Sequence, residues 1–136
     1  MSKTKTFVDA NILIAAFQGK DELSLKAMQI LDDPEREFMV SDYLRLEVMP
    51  KPRFHRRAEE AEFMQTFLDG ASHQASPTPS ITARALDMAC RYNLHPVDAL
   101  HVGVAIELSA DVLITLEKPE KPLCQVREVA VTSLRS

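Results

Sequence analysis

The stretch Phe7-Val8-Asp9-Ala10-Asn11-Ile12-Leu13-Ile14 decides the fold of this chain. Thr6, Phe7 and Val8 make a short apolar run of strand character, and Asn11 to Phe17 carry a helix-like apolar pattern, so an acid stands at the junction of the two. A buried strand closing at Val8 puts Asp9 at its carboxyl end, the edge at which open α/β sheets place their ligands.

Outward from this junction, strand-length apolar runs alternate with longer segments of helical period, the pattern of βα units on a parallel sheet. The first helix is stopped by Gly19, and Asp21 caps a second that carries Leu23, Ala27, Ile30 and Leu31 on one face. Phe38, Met39 and Val40 form a second strand, followed by a helix capped by Ser41 or Asp42 and ended by Pro50 and Pro52. A helix over residues 57–68, a weak strand near Gln74 to Ser76 and a helix from Ile81 to Tyr92 come next. The segment from Pro96 to Ser109 is apolar almost all round, which predicts a central helix. Val112, Leu113 and Ile114 give the clearest buried strand, and a last poor one is expected near Val129 to Val131.

Composition narrows the class. The chain's 136 residues, 46% of them hydrophobic, suffice for one continuous core, so a single domain over residues 1–136 is expected. Lys3 and Lys5 precede an apolar stretch, but Asp9 and Asn11 interrupt it, so a cytoplasmic protein is expected rather than a secreted one. No run approaches the roughly 20 apolar residues that span a bilayer. Cys90 and Cys124 lie far apart without metal-ligand spacing, which predicts buried thiols. A formal net charge of -4 argues against a general nucleic-acid coat, yet leaves room for a site whose acids hold cations over a phosphate.

Further acids join Asp9 as candidates. Glu47 falls one helical turn from Tyr43 and Leu44 and beside Val48, on the face expected to pack inward, so it needs a facing Arg, a solvent cleft or a bound cation. Asp98 stands in the first turn of the apolar helix, where the helix dipole by itself accounts for an acid. His101, one turn further, is expected to be a core histidine or a support for other ligands. Glu117 follows the 112–115 strand and meets Asp9 if the two strands are neighbours. Carboxylates converging without cysteine favour a hard cation, Mg²⁺ or Mn²⁺, over zinc or copper.

The opening stretch resembles the first motif of PIN domains, and the likeness continues in order along nearly the whole chain. Glu47 stands on the helix after the second strand, where that family keeps an acid; Asp98-Ala99-Leu100-His101 followed by Ala105 resembles its third motif; Ala110-Asp111-Val112-Leu113-Ile114-Thr115 is similar to the strand that leads to its fourth. The length is like that of single-domain VapC-type toxins. The resemblance implies a three-layer α/β/α sandwich with a parallel five-stranded sheet and Mg²⁺- or Mn²⁺-dependent endoribonuclease action. It implies Asp9, Glu47 and Asp98 as catalytic metal ligands, with Glu117 in a second-metal or water-positioning role and Asn11 supporting the first acid. An RNA substrate, a cognate antitoxin and a homodimer are the partners it implies. One departure stands out: the family usually has Asp after the Thr of the fourth motif, whereas this chain reads Thr115-Leu116-Glu117.

Lys51, Arg53, His55, Arg56 and Arg57 form a basic run that can steer phosphates or serve as a solvated helix start. The altered fourth motif leaves a second class of function open, a PIN-like protein-binding module with weak or lost nuclease activity. A phosphotransferase with Asp9 as nucleophile is disfavoured, because the haloacid-dehalogenase motif wants Asp where Asn11 stands.

Overall fold

The structure is a computed structural model and describes residues 2–135. Its strands are β1 (Thr4–Val8), β2 (Arg36–Ser41), β3 (His73–Ala75), β4 (Val112–Thr115) and β5 (Val131–Ser133), all parallel in the order β3-β2-β1-β4-β5. The helices are α1 (Ala10–Gln18), α2 (Glu22–Leu31), α3 (Asp42–Val48), α4 (Pro50–Phe54), α5 (Ala58–Gly70), α6 (Pro79–Tyr92) and α7 (Pro96–Glu107), with a 3-10 turn at Pro122–Gln125. The expected five-stranded parallel sheet between helical layers is what the chain forms.

A parallel sheet is buried on both faces, and the two-residue period of a strand sorts its side chains between them. Phe7, Met39 and Leu113 face one core, where Ile81, Ala85 and Met88 of α6 meet Val102 and Ala105 of α7. Val8, Val40 and Ile114 face the other, against Ile12 and Leu13 of α1, Leu44 of α3, and Met64 and Leu68 of α5. Register aligns Phe7 with Leu113 and Val8 with Ile114, so the chain leaves β1 and β4 side by side. From β1 the chain winds outward to β2 and β3, then crosses back to β4 on the opposite side. The crevice at the carboxyl ends of β1 and β4 is therefore the switch point of the sheet.

Local chemistry sets the element ends. Asp21 accepts from the Ser24 amide to cap α2, Ser41 from Leu44 to cap α3, and Thr78 from Ile81 to cap α6. Gly19 closes α1 at φ 61°, in the left-handed region that a side chain would strain. Two expectations need correction. Pro50 does not merely end a helix: the chain bends at Met49 and Pro50 opens α4, since proline fits the first turn, where its missing N–H is not needed. The last strand lies at Val131–Ser133 rather than near Val129 to Val131, because the Leu113 amide bonds Ala130 O and the Leu134 amide bonds Thr115 O, which sets the ladder past the apolar Val129.

Candidate metal centre

Asp9 is both the residue after β1 and the N-cap of α1. Its Oδ1 accepts from the Ala10 amide at 2.7 Å and its Oδ2 from the Thr115 hydroxyl at 3.0 Å, so the carboxylate is fixed from two elements while 6% exposed. The strand register dictates the second contact, since residues following Val8 and Ile114 must face each other. The same Thr115 Oγ1 accepts from the Glu117 amide at 3.0 Å and so ties the fourth acid's backbone to the first acid. Thr115 is the positioning residue that sequence reasoning missed. Its signal was its place at the end of the strand next to β1.

Asn11 does not support Asp9 as the resemblance implied. Its Oδ1 accepts from the Leu116 amide at 3.2 Å and steadies the loop that carries Glu117. That loop is also held from β5, where the Ser133 hydroxyl donates to the Glu117 carbonyl.

Glu47 projects from α3 beside the buried Leu44 and Val48, but its side chain is 32% exposed at the rim of the crevice. The inward-facing carboxylate of the sequence argument thus has both a solvent edge and a partner, the Nε2 of His101 on α7. His101 Nε2 also lies 4.0 Å from Asp9 Oδ1, and the ligand atoms of Asp9, Glu47 and His101 lie within 4.8 Å of one another.

Asp98, in the first turn of α7, is half-buried and lines a cavity of about 300 Å³ together with Glu117, Asn93, His95 and Lys121. Burial raises its pKa to about 6, helped by the charges of Asp9 and Glu117 and, more weakly, Glu47, while His101 pulls it down. Burial likewise pushes Asp9 above the ordinary carboxylate range, opposed by His101 and the Thr115 hydrogen bond. The acids from β1, α3, α7 and the loop after β4 therefore interact with one another, which is more than a helix dipole asks of Asp98. Uncompensated negative charge around oxygen donors is a site chemically suited to a hard divalent cation.

One other expectation resolves differently. Cys90 is exposed rather than buried, and Cys124 is half-buried with its thiol pushed up by burial and by the charge of Glu117; both are free. The basic run stands exposed on α4 and the turn after it, with Arg53 bonded to Gln65 and Arg57 paired with Glu60. Among the described residues no helix is long and apolar enough to cross a membrane.

Fold and site define an α/β domain with a carboxylate cluster at the switch point of a parallel sheet. The PIN domain family model matches residues 6–118, and the chain belongs to the PIN domain family, a family of nucleases. No curated protein matches the chain significantly. Among solved structures, VapBC2 of Rickettsia felis bound to a fragment of its promoter DNA is similar at 12% identity and TM-score 0.72, over 97% of this chain and 100% of that one. A toxin-antitoxin complex from Klebsiella pneumoniae is similar at 21% identity and TM-score 0.70, over 92% and 95%. DNA-bound VapBC of Salmonella typhimurium follows at 13% identity and TM-score 0.67, over 96% and 98%. At these identities the likeness speaks for the fold.

Proposed function

We propose that this chain is a metal-dependent endoribonuclease that hydrolyses RNA phosphodiester bonds as the toxin of a toxin-antitoxin pair. The observation that carries the reading is that the ligand atoms of Asp9 and Glu47 lie within 4.8 Å of each other while Asp98 and Glu117 line one cavity, and the charges of Asp9, Glu117 and Glu47 help burial push Asp98 up to about 6. Asp9 and Asp98 hold Mg²⁺ or Mn²⁺, Glu47 holds it further or orients the attacking water, and Glu117 takes a second-metal or water-positioning role. Bound there, the cation supplies an acidified water and offsets charge on the phosphoryl oxygens. Thr115 keeps Asp9 aligned, and the Thr115, Asn11 and Ser133 contacts keep the Glu117 loop against it.

RNA cleavage by the purified protein with Mg²⁺ or Mn²⁺, compared with Asp9→Asn and Glu117→Gln, tests the assignment. Wild type is expected to cleave and Asp9→Asn to be inert; equal activity in the two would remove Asp9 from the site. Glu117→Gln separates a functional fourth acid from a vestigial one.

The antitoxin partner has a candidate seat between α1, α2 and α5: an apolar groove of about 480 Å³ lined by Phe17, Met28, Leu31, Phe63 and Phe67 together with Asp32, Glu59 and Glu62. An antitoxin tail of mixed apolar and basic residues fits that lining. Support for such a partner comes from the VapBC complexes of the same fold. The same reading places the protein in the cytoplasm, and light scattering of the isolated chain tests the homodimer.

The Glu in the fourth motif favours one alternative, a binding module with a weakened site. Mg²⁺ titration followed by thermal stability discriminates, because a ligand bound only by the folded state raises apparent stability.

A further inference from the structure

His101 is 1% exposed, with its ring against Phe7 at a centroid separation of 5.1 Å. Its Nε2 contacts Glu47 Oε1, and its Nδ1 is buried without a hydrogen-bond partner among the described residues. The spacing of Asp9, Glu47 and His101 is short enough for all three to grip one ion, which would make the centre a mixed nitrogen and oxygen site.

The position of the ring proton decides against that. With a proton on Nε2, in the neutral or in the charged ring, His101 donates to Glu47, and in the neutral ring only the Nδ1 lone pair is left unmatched. With the proton on Nδ1, a buried N–H faces no acceptor while the Nε2 lone pair faces a carboxylate, so both nitrogens lose. A histidine that binds metal through Nε2 must carry its proton on Nδ1, and such histidines almost always pass it to a carboxylate, a carbonyl or water. Among the described residues no protein group receives it from His101.

We propose that His101 is a positioning residue: its Nε2–H donates to Glu47 and holds that carboxylate in the crevice, so His101 presents a proton and not a lone pair to the metal. Glu47 needs such a hold, because its partly exposed side chain otherwise keeps rotamers that point to solvent. The centre is then all-oxygen, with Glu47 preorganised from α7. The inference rests on the metal reading of the site proposed above.

The test combines ¹⁵N NMR of the histidine ring with Mg²⁺ affinity measured by calorimetry. The metal-free wild type is expected to show a protonated Nε2, which stays protonated on Mg²⁺ addition. His101→Gln, which retains an N–H donor near the same place, is expected to keep affinity within about threefold, and His101→Phe to lose about 10- to 100-fold. An Nδ1–H tautomer, or loss of the Nε2–H as Mg²⁺ binds, overturns the proposal and makes His101 a ligand. A folded His101→Phe protein with wild-type affinity overturns the positioning role. Should that variant not fold, the wild-type spectra decide alone. A wild type that binds no Mg²⁺ removes the metal reading of the site, whereas the metal-free spectrum still reports whether His101 donates to Glu47.

Discussion

At the scale of single residues, the carboxylates of the crevice work against the fold that holds them. The Asp98 pKa of about 6 lies above its ordinary 3.8, so the folded protein holds that proton more tightly than the unfolded chain does. The associated stability is fully present below about pH 4 and is lost as pH rises through about 6. For a group only half-buried, solvent screening reduces this to on the order of 1–2 kcal/mol. Asp98→Asn is therefore expected to raise the Tm of the metal-free protein at pH 7.5 by a few degrees, with the difference from wild type closing below about pH 4. The same variant is expected to lose cleavage. Paired thermal melts across pH check the first outcome, and a metal-free variant less stable than wild type at pH 7.5 would contradict it. Asp9 and Asp98 were legible because each sits at a locally marked place, a strand-to-helix junction and a first helical turn. The Glu47 partner was not, since His101 lies on another helix and only the packing of α3 near α7 brings the two together.

At the scale of elements, α7 carries both Asp98 and His101, and its depth in the molecule depends on Gly103. A Cβ there would stand 3.0 Å from the Ile81 carbonyl and 3.4 Å from the Ala85 amide, both backbone atoms of α6. Gly103→Ala must push the two helices apart, at an expected cost of about 1–3 kcal/mol in urea unfolding, together with weaker Mg²⁺ binding as Asp98 moves. Unchanged stability would show that α6 and α7 yield easily. Ser41 plays the matching part for Glu47: it is buried, it caps α3 through the Leu44 amide, and Ser41→Ala is expected to cost about 1 kcal/mol by the same measurement. Both caps and apolar period are local signals, which is why α1, α2, α3, α6 and α7 were legible nearly to their ends. The register of β5 was not, because it is fixed by β4 and by a 3-10 turn that no periodicity announces.

At the scale of the whole molecule, the RNA substrate proposed above is a polyanion that would approach an acidic site on a chain of net charge -4. The cationic stretch from Lys51 to Arg57 lies just after α3, the helix that bears Glu47, and is exposed except for Pro52. Within it, Arg57 pairs with Glu60 and Arg53 bonds Gln65, whereas among the described residues Lys51 and Arg56 make no ion pair. Those two have no side-chain partner among the described residues, so meeting a phosphate breaks no existing contact. Each phosphate contact that displaces counterions from a single strand adds roughly 0.7 to the slope of log affinity against log salt. Lys51→Ala with Arg56→Ala is thus expected to raise KM for RNA severalfold at low salt and to flatten the salt slope by about 1–1.5, with kcat nearly unchanged. Asp9→Asn is expected to do the reverse, removing turnover while leaving RNA binding and its salt slope in place or strengthened by the lost charge. Steady-state kinetics at several salt concentrations separate the two. If the double variant keeps the wild-type KM and slope, RNA reaches the crevice over another surface and the α4 cations serve only the solvated end of that helix.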